Sequence, residues 1–229
     1  MFKSVGWTWN PIAGCTHDCK YCWAKSLTER WGKPFTPQLR EHFLKDKMPN
    51  DASWIFVGSM GDIGCEGVSE EWREKLYDFI EQDKSNNTFL LQSKNPSVFT
   101  ANRERLETIK HKIVLGTTLE TTEETPWSVA PDTFSRAVSL SYMKHNHGYR
   151  AFLSLEPISD FDLELMTSWI DNIKPEAIEI GKENYTHYTT PPSDEKLLDL
   201  MTWLDKEGYE YILKDNLDYL QPKATLGDV

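Results

Sequence analysis

Three of the chain's four cysteines, Cys15, Cys19 and Cys22, lie close together as C-x3-C-x2-C, and the fourth, Cys65, stands alone. Thiolates are the ligands of iron–sulfur clusters, and a four-iron cubane on this segment finds only three local ligands. One iron is then open to an outside molecule, which suits a cluster that acts on a bound compound rather than only relaying electrons. Two other uses of the same thiols compete. Tetrahedral zinc would take the three with His17 or Cys65 as fourth ligand, but His17 is crowded between two ligands, and zinc motifs usually come as two separated pairs. A closed electron-transfer cluster would recruit Cys65 as its fourth cysteine. Either alternative describes a non-catalytic iron–sulfur or zinc module that binds nucleic acid or a partner protein, and either needs a fourth protein ligand.

The elements that must hold this segment follow from hydrophobic patterning. Apolar runs that read as buried strands recur at Ser4–Trp9, Trp54–Gly58, Thr88–Gln92, Ile113–Thr117, Ala151–Leu155, Ala177–Gly181 and Tyr209–Leu213. Between them, helical periodicity predicts helices over Tyr21–Trp31, Glu70–Gln82, Pro96–Ile109, Thr133–His145, Leu163–Ile173 and Ser193–Glu207. Strand–helix alternation of this kind builds a parallel sheet, and the six or seven units are too few for a closed eight-stranded barrel but enough for a partial one or an open doubly wound sheet. The expectation is an α/β chain forming one domain over residues 1–229, with function at the C-terminal ends of the strands. The segments Lys33–Asn50, Thr121–Asp132 and Glu183–Pro192 read as insertions within it.

Composition narrows the partners. Lys and Arg number 25 against 36 Asp and Glu, a formal charge of −11, so a broad basic face for long duplex DNA is not expected. The start MFKSVGWTWNPIAG lacks a basic region followed by an apolar core, and no run of apolar residues is long enough to span a membrane. The reading is a cytoplasmic chain with no membrane contact.

C-x3-C-x2-C with an aromatic residue, Tyr21, just before the last cysteine, in the loop after strand one of a βα protein, resembles the radical S-adenosylmethionine (SAM) superfamily. A narrower resemblance, over most of the chain, is to a phage- and prophage-associated family of unknown function distantly similar to spore photoproduct lyase. Trp9-Asn10-Pro11, Gly14-Cys15, Gly58-Ser59-Met60-Gly61-Asp62, Ser93-Lys94-Asn95-Pro96, Leu119-Glu120 and Leu153-Ser154-Leu155-Glu156-Pro157 carry it. Two features depart: that family commonly spaces its first two cysteines more widely, and it tends to show Gly-Gly-Glu-Ser where this chain has Ile180-Gly181-Lys182-Glu183.

The resemblance implies a partial (βα)6 barrel of the TIM type, and a [4Fe-4S] cluster on Cys15, Cys19 and Cys22 whose fourth iron chelates SAM. It also implies reductive cleavage of SAM to a 5′-deoxyadenosyl radical, fed by a one-electron donor of the flavodoxin or ferredoxin type. SAM itself asks for acceptors around its ammonium group, a cation or amides for its carboxylate and an acceptor for its ribose diol. Gly58, Ser59, Met60 and Asp62 are the candidates for the ammonium, Lys94 for the carboxylate or a substrate anion, and Glu120 for the ribose. Ser154 and Glu156 bracket a leucine and can both face the barrel mouth. Cys65, on the loop just past the SAM-binding stretch, is a candidate hydrogen donor, as spore photoproduct lyase has a thiol donor after strand two. Trp7, Trp9, Trp23 and Trp31, with Tyr185, His187 and Tyr188, can stack a base, although core packing or cluster shielding accounts for most aromatics. The substrate expected from the resemblance is a nucleotide or nucleic acid, with a small molecule or a protein side chain close behind.

Overall fold

The computed structural model describes residues 2–51, 53–184 and 187–220. Seven strands form one all-parallel sheet: β1 (Trp7–Trp9), β4 (Trp54–Val57), β5 (Thr88–Gln92), β6 (Ile113–Thr118), β7 (Ala151–Leu155), β8 (Ala177–Ile180) and β9 (Tyr211–Leu213), in that spatial order. Each but the last leads into helix: α1 (Trp23–Arg30), α2 (Glu70–Gln82), the pair α3 (Ser97–Ala101) and α4 (Arg103–Ile109), α5 (Thr133–His147), α6 (Leu163–Ile173) and α7 (Asp194–Glu207). The sheet curls into the partial barrel expected from the sequence. A short antiparallel pair, β2 (Ile12–Ala13) against β3 (Gln38–Leu39), was not anticipated; it ties the segment after α1 back beside the cysteine loop. No helix among the described residues is long and apolar enough to cross a membrane.

Helices α2, α5, α6 and α7 start where side-chain oxygens cap them: Ser69, Asp132, Asp162 and Ser193 each accept a backbone N–H from the first turn. Gly148 and Gly208 end α5 and α7 in left-handed conformation. One face of the sheet packs on these helices through Ile55, Val57, Phe89, Leu91, Leu115, Leu153 and Ile178, all fully buried. Side chains of opposite parity line the inner face. Phe2, Val5, Leu90, Val114 and Phe152 pack there as a separate apolar cluster, with Phe2 5.0 Å from the ring of Phe152.

Toward the C-terminal ends of the strands the same inner face turns polar. Gln92 donates to Thr118 at 2.9 Å, and the pairing register sets Thr118 beside Ser154 and Ser154 beside Glu179. Beyond them stand Lys94, Glu120 and Glu156. The strand expected from Ser4 is shorter, because Ser4 turns inward and gives its N–H and hydroxyl to the buried Glu179, at 2.7 and 2.6 Å. The helix expected over Pro96–Ile109 is two, broken at Asn102.

Candidate functional site

The cysteine loop joins β1 and β2 to α1 at the C-terminal face of the sheet. Cys15 begins it, half-buried, and accepts the N–H of His17 at 3.4 Å. Asp18 takes a left-handed conformation (φ +50°) and is bridged by Lys20 and Lys25, which fixes the sharp turn before Cys19. Cys22 caps α1, its sulfur accepting the N–H of Lys25 at 3.4 Å. Helix α1 therefore starts at Trp23 rather than Tyr21, and a thiol occupies the position where hydroxyl or carboxylate oxygens usually serve. Burial pushes the Cys22 thiol up, and the Lys25 N–H offsets this in part. Cys19 is the most buried of the three, 7% exposed, and its sulfur lies 3.2 Å from Ser128 Oγ.

This donor set fits a cluster held by thiolates. Three thiols sit on one short loop, two of them facing backbone N–H groups and the third a hydroxyl, the hydrogen bonds that stabilise negative sulfur. Among the described residues no three His, Cys, Asp or Glu side chains are gathered as a single metal ion would require. A cubane asks for something different, one thiolate on each of its irons. Cys65, 3% exposed, belongs to the core against which Cys15 packs, and the neighbouring thiols shift in opposite directions, Cys65 down and Cys15 up, through their mutual interaction.

The Gly58–Asp62 segment lies directly on this loop. Gly14 and Gly61 form a backbone bridge, and a Cβ on Gly14 (φ +83°) would lie 2.0 Å from the carbonyl oxygen of Thr36. A Cβ on Gly61 would lie 2.9 Å from the carbonyl oxygens of Gly14 and Ile12, so glycine there lets the two segments approach closely. Asn10 Oδ1 accepts from Met60 N at 2.9 Å and from Ser59 Oγ at 3.1 Å. Asp62 is a buried hub. Its Oδ1 accepts Ser93 Oγ at 2.6 Å and Gly64 N at 2.8 Å, and its Oδ2 accepts Lys94 N at 2.8 Å and faces His17 Nε2 at 3.2 Å. Burial opposes ionisation there, yet His17, Ser93 and Lys94 outweigh it and hold the carboxyl below its usual range. Three hydrogen bonds thus occupy the two oxygens, while His17 Nε2, 3.2 Å from Oδ2, faces the carboxylate without a hydrogen bond.

A second hub joins Tyr21, Lys94 and Glu120. Glu120 is 0% exposed; its Oε1 accepts both the Tyr21 hydroxyl and the Lys94 ammonium, and its Oε2 accepts Arg136 Nη1 at 2.6 Å. Lys94 and Glu120, separate contacts in the sequence reading, are thus an ion pair, with the Lys94 ammonium also over the Tyr21 ring. Burial raises the Glu120 carboxyl, but Lys94 and Arg136 overcome it and set it at about 2. Tyr21 is driven well above its ordinary value by burial and by Glu120. Arg136, on the first turn of α5 and 0% exposed, was missed; its Nη2 finds no partner among the described residues.

Ser154 and Glu156 lie apart from both hubs, farther round the sheet. Ser154 is buried in β7, and Glu156 pairs with Lys214 Nζ at 3.1 Å, which also reaches Glu179 at 3.1 Å. On the same inner face Gln92 Oε1 is buried with no partner among the described residues, an acceptor left for a bound group. Of the aromatics, Trp9 is core, whereas Trp7, Trp23, Trp31 and Tyr188 are about half exposed, and Tyr185 lies outside the described residues. A groove of about 1240 Å³ opens at the other end of the strands, by Trp54, Arg150 and Tyr211, away from every residue of the two hubs.

Comparison with known proteins places this geometry. The model of a family described as a protein of unknown function, DUF5131, matches residues 3–167. No curated protein matches the sequence significantly. Among solved structures, a spore photoproduct lyase variant with bound AdoMet and dinucleoside spore photoproduct superposes with a TM-score of 0.60 at 12% identity, over 82% of this chain and 59% of that one. A second variant of that enzyme gives 0.66 at 12% identity, over 93% and 78%. Streptococcus suis SuiB gives 0.56 at 10% identity, over 91% and 49%. The likeness is one of fold, the partial TIM barrel of radical SAM enzymes, and the chain spans less than two thirds of the first of these structures.

Proposed function

This chain belongs to the DUF5131 family, and we propose that it is a cytoplasmic radical SAM enzyme acting on a nucleotide or nucleic acid. The observation that carries the reading is the placement of Cys15, Cys19 and Cys22 on the loop after β1, at the C-terminal face of a partial barrel. A [4Fe-4S] cluster on these thiols, once reduced by an external flavodoxin or ferredoxin, supplies reductive cleavage of SAM and hence a radical able to abstract hydrogen. The chain's own residues do the positioning. Gly58, Ser59 and Met60, pinned by Asn10, offer polar atoms to the SAM ammonium beside the cysteine loop. Asp62 supports them from behind, since its oxygens are already engaged. Lys94 is held by Glu120 in reach of an anionic group, and Arg136 keeps Glu120 ionised. Ser154, Glu156 and Gln92 face the space where a substrate would lie. A nucleobase edge suits their mixture of donors and acceptors, and the dinucleoside bound to the lyase of like fold supports the same class.

The test is anaerobic reconstitution with iron and sulfide, followed by dithionite and SAM and chromatography for 5′-deoxyadenosine. Binding of about four irons with formation of 5′-deoxyadenosine is the expected result; a single zinc, or a cluster indifferent to SAM, sinks the reading. The contact of Cys65 with Cys15 gives the competing module one observation in its favour, a fourth thiol in place. Cys65→Ala separates the two. The enzyme reading expects iron content and SAM cleavage at wild-type levels, with a changed product distribution if Cys65 is a hydrogen donor, whereas a four-cysteine site loses its metal.

A further inference from the structure

The segment Thr121–Asp132, an insertion by sequence, folds over the cysteine loop. Lys20 N donates to Trp127 O at 2.9 Å and Val129 N to His17 O at 2.8 Å. Between these two tethers sits Ser128. Its hydroxyl lies 3.2 Å from Cys19 Sγ and 3.2 Å from His17 O, and it accepts Ala130 N at 3.1 Å. Cys15 and Cys22 receive backbone N–H groups, but the polar contact at Cys19 comes from a side chain.

A serine hydroxyl has one proton and here two acceptors. While Cys19 is a thiol, its S–H can donate to Ser128 Oγ and the hydroxyl can donate to His17 O. Once Cys19 is a metal-bound thiolate, it has no proton to give, and the nearby hydroxyl can turn to it. Turning costs little: His17 O keeps the N–H of Val129, and Ser128 Oγ keeps that of Ala130. The bond would be made in a partly buried place, where hydrogen bonds to charge are stronger than in water.

We propose that Ser128 is a positioning residue that donates its hydroxyl proton to the Cys19 sulfur and thereby raises the reduction potential of the cluster. The inference rests on Cys19 being a cluster ligand. Gain of one electron from an external donor puts more negative charge on the ligand sulfurs, and a hydrogen bond to sulfur favours the reduced state. No proton is transferred and no bond is broken.

The experiment is a redox titration monitored by electron paramagnetic resonance on the reconstituted full chain, as wild type, Ser128→Ala, Ser128→Val and Ser128→Thr. The expected result is a midpoint shifted to more negative potential in the Ala and Val variants, and close to wild type in Thr, at equal iron content. Thr and Val share a shape and differ in the hydroxyl, so a shift common to both reports a moved loop and overturns the proposal. Midpoints that coincide in all four proteins overturn it too. Loss of iron in Ala and Val but not in Thr would make Ser128 a residue needed to hold the cluster rather than to tune it, which also contradicts the proposal. A wild-type chain that binds no cluster fails at the first step, and there the reading of Cys19 itself falls and takes this inference with it.

Discussion

Glu120→Gln is expected to lower the free energy of unfolding by about 3–5 kcal/mol, the range seen when one partner of a buried ion pair is removed. The substitution keeps shape and volume, so the loss is electrical. Arg136 is 0% exposed, and without Glu120 its guanidinium has no carboxylate partner among the described residues. The new amide also presents N–H groups where Tyr21, Lys94 and Arg136 all point donors. The pH dependence follows from the same contacts. A carboxyl that titrates near 4.5 unfolded and at about 2 folded binds its proton less readily in the fold. Its contribution, about 3 kcal/mol, is fully present above pH 4.5 and is lost as pH falls through 2. Denaturant unfolding of wild type and Glu120→Gln between pH 7 and pH 2.5 should therefore show a gap that is constant at neutral pH and narrows below about pH 4.5. A gap under about 1 kcal/mol at pH 7 would show that Arg136 has found another partner.

Arg136 also shows what a sequence can and cannot disclose. An arginine one turn into an amphipathic helix reads as a surface charge, and only the curl of the sheet brings α5 over Glu120, just past β6 and sixteen positions upstream in sequence. The cysteines were legible for the opposite reason: cluster ligands lie within one short loop, so spacing alone reports the chemistry. The strands were legible too, because a parallel sheet buried on both faces needs unbroken apolar runs such as Phe89-Leu90-Leu91. Ends were less so. Ser4 carries no sign that it will serve Glu179, 175 positions away, and nothing in Pro96–Ile109 but one asparagine marks the break at Asn102. Lys94 and Glu120 were found individually from their places after strands. Their pairing depends on neighbouring strands β5 and β6 lying side by side in parallel register. Ser128 left no signal, since one serine in a polar loop differs in no way from its neighbours until the loop is seen folded over Cys19.

Asp62→Asn is the sharper test of roles, because two readings of the same residue diverge under it. If Asp62 binds the SAM ammonium, the amide weakens SAM binding and leaves the fold intact. The geometry predicts the reverse order of effects. Three donors, Gly64 N, Ser93 Oγ and Lys94 N, converge on the two oxygens, and His17 of the cysteine loop faces one of them, so an asparagine must aim N–H groups at donors on one side. Leaving one or two of these buried donors unsatisfied costs about 1–3 kcal/mol each. Losing the negative charge also frees His17, which lies between Cys15 and Cys19. The expected result is a loss of about 3 kcal/mol in denaturant unfolding, together with iron that leaves the reconstituted protein faster on chelator challenge. Sign and window follow from the depressed carboxyl: Asp62 stabilises above its ordinary value of 3.8 and ceases to do so as pH falls below it. A variant with wild-type stability and iron retention but weakened SAM binding would restore Asp62 to the ammonium and overturn the bracing role. The opposite pattern means that the cysteine loop keeps its shape because a buried carboxylate, itself out of reach of the cofactor, holds the loop to the ends of two strands.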